Sequence, residues 1–228
     1  MSSNKETSKS LEDLYPFLHG KDKEPVAENE SLLESIRQKA QESLDVKERF
    51  FAAHGANLIK AAHAMAKVYR GKHCMLAIGN GGSSCDAAHF CVEFKHPITA
   101  GRPALPAINL VTDTAMISAI ANDVGVEHIF ARQIEAMGNA GDGLIGFSTS
   151  GNSKNLMTAF RIAKEMKLVT FGMTGGNGGA MRESGLVDHC LVVETDSIHR
   201  VQEVHVAAYH ILWDLVHTIL ADHRGLIN

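Results

Sequence analysis

Five short apolar runs, each closing in Gly, Ser, Thr, Asn or Asp, constrain this chain most: "CMLAIGNGG" (74–82), "ALPAINLVTD" (104–113), "GLIGFSTSGN" (143–152), "LVTFGMTGGNGG" (168–179) and "CLVVETD" (190–196). Segments of this length, apolar without strict alternation, read as strands buried on both faces. Stretches of helical spacing separate them, and that alternation predicts a parallel sheet with helices on both sides. With 228 residues, 45% of them hydrophobic, the chain can bury one sizeable core. Residues 1–29 are rich in Ser, Lys and Glu with only "LYPFL" to anchor them, and read as a loose tail; 30–228 read as a single domain. From Ser31 to Tyr69, Leu33, Ile36, Ala40 and Leu44, then Phe50, Leu58, Ala62 and Met65, recur at helical spacing, which suits two helices or one broken helix. A last long helix is expected over about 198–223.

A net charge of −4 leaves no electrostatic footprint for nucleic acid or an anionic membrane surface. The N-terminus lacks a signal-peptide core and no uninterrupted apolar run is of spanning length, so a cytoplasmic protein is expected. Cys74, Cys85, Cys91 and Cys190 form no CxxC pair and read as reduced thiols.

Ligands of open parallel sheets bind outside the carboxyl ends of the strands, where helices begin. "GNGGSS" and "STSGNS" are therefore expected to share a pocket. In the second, Ser148, Thr149, Ser150 and Ser153 offer hydroxyls and Gly151 lets backbone N–H groups approach an oxyanion. Neither GxGxxG nor GxxxxGK[ST] is present, so a phosphomonoester suits these loops better than a dinucleotide or ATP. Downstream of the first loop, His89 and Glu93 stand i, i+4 and project from one helix face, a pair that can bind a divalent metal or divide proton transfer. The last helix offers His199, Gln202, Glu203, His205, His210, Asp214 and His217. Spacing favours Glu203 with His210, seven apart, over Gln202 with His210, without settling the matter.

The segments "GNGGSSCDAAHFCVEF", "AIANDVGVEHIFARQIEAMG", "GFSTSGNSKN" and "RVQEVHVAAYHIL", in this order, resemble the bacterial phosphoheptose isomerases of the sugar-isomerase (SIS) superfamily over about residues 40–222. The resemblance implies a flavodoxin-like three-layer α/β sandwich with a five-stranded parallel sheet, assembled as a homotetramer with active sites between subunits, and a bound zinc. It implies substrate contacts at Asn80, Gly81, Gly82, Ser83, Asn122 and Asp123, and a phosphate-binding loop at Ser148, Thr149, Ser150 and Ser153. It also implies metal ligation by His89, Glu93, Gln202 and His210, with Glu93 and Gln202 touching substrate and Glu93 and His210 as the catalytic pair. Gln202 thus takes the place that spacing assigned to Glu203.

The implied reaction converts sedoheptulose 7-phosphate to D-glycero-D-manno-heptose 7-phosphate through an enediol, supplying heptose for cell-surface polysaccharide. The sequence departs from the family where a Gly-Arg element commonly follows Glu93; here "FKHPITAGRP" places Pro97 there, with Lys95 and Arg102 nearby. His199-Arg200 stands in place of an Asp-Arg pair. Both changes bear on sugar specificity. Related SIS proteins include phosphosugar-sensing regulators and a non-enzymatic tetramer that binds the bacterial replication initiator; these, and an isomerase of another ketose phosphate, are the alternatives.

Overall fold

A computed structural model describes residues 29–222. The elements are α1 (Asn29–Arg70), β1 (Met75–Gly79), α2 (Gly82–Lys95), β2 (Ala107–Asn109), α3 (Thr114–Asp123), a 3-10 turn (Val126–His128), α4 (Ala131–Met137), β3 (Gly143–Ser148), α5 (Lys154–Glu165), β4 (Val169–Gly175), α6 (Gly179–Glu183), β5 (His189–Val193) and α7 (Ile198–Asp222). Each of the five apolar runs holds a strand, β5 beginning one residue before its run. All neighbouring strands pair in parallel, in the order β2-β1-β3-β4-β5. The expected five-stranded parallel sheet is therefore present.

Strand side chains alternate between faces, and the two faces feed two cores. Met75, Ala77, Ile145 and Phe147 pack with Leu58 and Met65 of α1, Phe90 of α2, and Val204 and Leu212 of α7. Their neighbours Leu76, Ile78 and Leu144 pack on the opposite side with Phe130, Ile134, Leu156 and Phe160. Helices cover both faces, so the central strands carry no polar alternation.

The expectation of two helices, or a broken one, before β1 is corrected: α1 is a single helix of 42 residues. It contains no proline, and its one glycine, Gly55, costs a helix only about 1 kcal/mol relative to alanine. Burial of Val46, Phe50, Leu58 and Met65 outweighs that cost. Contacts divide the chain between Gln41 and Glu42, a point within α1. The tail expected over 1–29 lies, except for Asn29, outside the described residues, as do residues beyond 222.

By length and composition α7 could cross a membrane. Its buried face, Val201, Val204, Ala208, Leu212 and Val216, packs against the sheet and α1 as a core helix does. Of the cysteines, all are free; Cys91 is buried and Cys85 exposed.

Candidate active site

The strand order reverses direction between β1 and β3, because β1 leads outward to β2 while β3 leads to β4 and β5. Such a switch point leaves a crevice at the carboxyl ends of the two strands. The loops leaving β1 and β3 are "GNGG" and "STSGN", so topology brings the two candidate loops side by side. A reciprocal amide pair ties them together: Asn80 Nδ2 donates to Asn155 Oδ1 and Asn155 Nδ2 donates to Asn80 Oδ1, both at 2.9 Å. Asn80, Ser153, Lys154 and Asn155, with Val126 and Glu127, line one open cleft.

Within the serine loop Ser148 is buried and Ser150 exposed. Ser148 Oγ lies 3.2 Å from Ser153 Oγ and accepts the Gly151 N–H. Ser153 is the N-cap of α5 yet makes no capping bond with its hydroxyl. A helix start whose cap hydroxyl faces elsewhere, beside further hydroxyls, has the donor chemistry an oxyanion needs. The loop rests on the turn after β4, where the Asn152 carboxamide accepts the Ala180 N–H at 2.9 Å.

The second half of the site is built by α2 and α7, which run side by side in the same direction. Tyr209 OH lies 2.7 Å from His89 Nδ1, and Trp213 Nε1 donates to the Glu93 carbonyl at 2.8 Å, two contacts with the same sequence offset. This alignment delivers His210 to the His89–Glu93 pair. His89 Nε2 is 3.0 Å and His210 Nε2 3.9 Å from the same oxygen, Glu93 Oε1. The Glu93 side chain is 22% exposed against 44% and 42% for the two imidazoles, so the carboxylate lies deepest. One ligand atom from each residue lies within 4.8 Å of the others, close enough for all three to share one metal ion. Burial, then the carboxylates of Asp86 and Glu93, hold the Tyr209 phenol well above its ordinary range, so its hydroxyl keeps its proton.

The remaining candidates separate spatially. The Gln202 amide lies against the first turn of α2, where a Cβ on Gly82 would come 2.3 Å from Nε2. Glu203 is occupied elsewhere: its Oε2 accepts from Ser43 Oγ at 2.6 Å and from Arg200 Nη1 at 2.8 Å. Ser83 is buried and its N–H donates to the Asn80 carbonyl at 3.0 Å, while Gly81 is the N-cap of α2. Asn122 and Asp123 are exposed at the end of α3, with Asn122 Nδ2 donating to Asp123 Oδ1 at 2.7 Å, three residues before the cleft-lining Val126. Arg102 stacks on Trp213, 4.3 Å from the ring centroid, and pairs with Asp214. Lys95 and His199 are exposed.

Asp86, Asn155, Tyr209 and Trp213 escaped the sequence reading. Asp86 is buried one turn before His89, and burial pushes its carboxyl up to about 6 against the opposing pull of His89. Its place in the helical repeat, three before His89, was the available signal.

His205 is not at the site's surface but beneath it, fully buried, with Nε2 3.4 Å from the Thr174 carbonyl oxygen at the end of β4. Burial depresses its pKa from 6.5 to about 4. Below pH 6.5 the unfolded chain therefore binds a proton that the folded chain refuses until about pH 4, and folding stability is lost across that window as pH falls. Each pH unit within it is worth up to about 1.4 kcal/mol. Urea denaturation of His205→Gln at pH 7.5, 6 and 5 is expected to show a shallower loss with acid than wild type, by close to one proton.

Residues 40–175 match the family described as SIS domain. The chain is 39% identical over 185 residues to a phosphoheptose isomerase of Sulfurimonas denitrificans, covering 79% of this chain and 93% of the relative. Among solved structures, a phosphoheptose isomerase from Francisella tularensis superposes with a TM-score of 0.78 at 33% identity, covering 82% of this chain and 98% of that one. One from Neisseria gonorrhoeae gives 0.75 at 34% identity, with coverage of 81% and 98%. A family model matching more than half of the chain, a relative 39% identical and covered over 93% of its length, and solved structures superposing at TM-scores of 0.78 and 0.75 leave one assignment: the chain belongs to the phosphoheptose isomerases of the SIS-domain family.

Proposed function

We propose that this isomerase interconverts sedoheptulose 7-phosphate and D-glycero-D-manno-heptose 7-phosphate. The observation that carries the reading is the fusion of two chemistries at one switch point. A hydroxyl-rich loop at the start of α5 is pinned to the loop that starts α2, and α2 carries the His89–Glu93 pair. Ser148, Thr149, Ser150 and Ser153 take the terminal phosphate, Asn80, Gly81, Gly82 and Ser83 the adjoining part of the sugar, and Asn122 and Asp123 its hydroxyls. The reacting end then reaches Glu93.

Interconverting ketose and aldose requires a proton to move between C1 and C2 and another to reach the carbonyl oxygen. Glu93, the deepest of the three groups, takes the carbon-bound proton of the ketose at C1 and returns it to C2. His210, whose imidazole can both donate and accept, protonates the C2 carbonyl oxygen and recovers a proton from the C1 hydroxyl as the aldehyde forms, so that no proton is gained or lost overall. The nitrogen and oxygen donors of His89, Glu93 and His210, converging within 4.8 Å on two packed helices, fit a zinc ion, with Gln202 as the further ligand once its amide turns from Gly82. Bound there, zinc would polarise the carbonyl as a Lewis acid.

The protein is a cytoplasmic homotetramer in this reading. Leu44, Ile59, Val92 and Ile211 are exposed in the single chain and supply apolar surface for subunit contacts. Purified protein with zinc, incubated with sedoheptulose 7-phosphate, is expected to form an aldoheptose 7-phosphate, and light scattering to give the mass of four chains. Absence of turnover on a panel of ketose phosphates by the folded, metal-loaded tetramer would favour a phosphosugar-sensing regulator.

A further inference from the structure

Among the described residues, the hydrogen bond that reaches a side chain of the candidate metal group from outside its own three residues comes from Tyr209. Its hydroxyl lies 2.7 Å from His89 Nδ1, the ring nitrogen facing away from Glu93. The ring's other nitrogen, Nε2, lies 3.0 Å from Glu93 Oε1. An ionised Glu93 can only accept, so Nε2 carries the proton of a neutral ring, and Nδ1 accepts from the Tyr209 hydroxyl. A metal at Nε2 requires the opposite tautomer, in which that nitrogen offers a lone pair and the ring proton sits on Nδ1. The proton count of the imidazole is unchanged between the two; only its place differs.

A hydroxyl is the side-chain group that serves both states without moving. It donates to Nδ1 in the first and accepts from Nδ1–H in the second. The tyrosine ring is itself held: it is 1% exposed and meets the imidazole edge-on at 5.3 Å and Phe147 at 5.9 Å. One turn further along α7, Trp213 fixes the Glu93 carbonyl, so the same helix stripe sets the ring of one ligand and the backbone of the other.

We propose that Tyr209 is a positioning residue for the metal group: its hydroxyl holds the His89 ring with Nε2 aimed at Glu93 and accommodates the tautomer that metal binding demands. This rests on the reading that His89, Glu93 and His210 hold zinc, but not on the identity of the sugar.

The test is Tyr209→Phe in the full chain, which removes one oxygen atom from the tyrosine ring. Zinc affinity is read by competition with a chromophoric chelator at pH 7.5, with circular dichroism to confirm the fold. Partners that orient a metal-bound histidine are worth about 10–100-fold in metal affinity, and a weakening of that order is expected. Nitrogen-15 shifts of the labelled His89 ring supply a readout that a purely structural role would not move. In metal-free wild type they should report the Nε2-protonated form, in zinc-loaded wild type the Nδ1-protonated form, and in metal-free Tyr209→Phe a mixture of tautomers. Wild-type zinc affinity in folded Tyr209→Phe overturns the inference while leaving the metal reading intact. Failure of wild type to bind zinc overturns both. Should Tyr209→Phe not fold, the wild-type shifts decide alone: an averaged tautomer in the metal-free protein overturns the proposal.

Discussion

Glu93→Gln is expected to lower turnover of sedoheptulose 7-phosphate by about 10²–10⁴-fold, the usual contribution of a positioned base. The substitution keeps the shape of the side chain, and its amide oxygen can still accept from His89 Nε2, so the helix pair should stay aligned. What disappears is the group that takes a proton from carbon. In deuterium oxide the wild type should introduce deuterium into substrate at the exchanging carbon, and Glu93→Gln should not. His210→Ala should keep part of that exchange, because it removes the acid but leaves the base. Zinc content must be measured in each variant, since both residues belong to the same three-donor group. If Glu93→Gln retains exchange and turnover with its metal in place, another base is at work. Glu203 would have to release both Ser43 and Arg200 to serve.

Gly151→Ala is expected to destabilise the fold by about 2–4 kcal/mol and to abolish measurable protection by inorganic phosphate. Gly151 has φ +66°, a left-handed conformation that disfavours a side chain. A Cβ there would also lie 2.0 Å from the Gly178 carbonyl oxygen and 2.6 Å from Thr174 Oγ1. The Gly178 oxygen belongs to the backbone of the turn that supports the serine loop, so relief requires the two loops to part. Gly185→Ala separates the contributions: it shares the left-handed φ, at +69°, but a Cβ meets nothing within 4 Å. Its cost should be about 1 kcal/mol, from conformation alone. Urea denaturation measures both, and thermal shift with added phosphate measures the loop's function. Equal costs for the two variants would show that the Gly178 contact yields freely.

Much of the architecture was legible because it rests on local pattern. Five apolar runs became five strands, since a strand buried on both faces must be apolar throughout and a parallel crossover must carry a helix between strands. The two loops were legible as partners because strand ends and helix starts meet at the same edge of any such sheet. The i, i+4 spacing of His89 and Glu93 suffices to make them neighbours, and their 3.0 Å contact follows from helix geometry alone.

Continuity of α1 was not legible, because periodicity around Gly55 reads the same for a helix that breaks and for one whose flanks bury enough apolar surface to hold it together. Nor could spacing on α7 place Gln202 and Glu203. Adjacent residues on a helix differ by about 100° in direction, and which direction meets α2 depends on how the helices dock. In the fold Glu203 meets Ser43, 160 residues away, and Gln202 meets Gly82.

Which segments are strands, which loops collect at their carboxyl ends and which two residues share a turn of α2 were all readable locally, because each follows from periods of two and 3.6 residues. The register of α7 against α2 arises only as the chain packs. That register, fixed by the Tyr209–His89 and Trp213–Glu93 contacts 120 residues apart, brings His210 to Glu93; side-chain packing selects it and no local period encodes it.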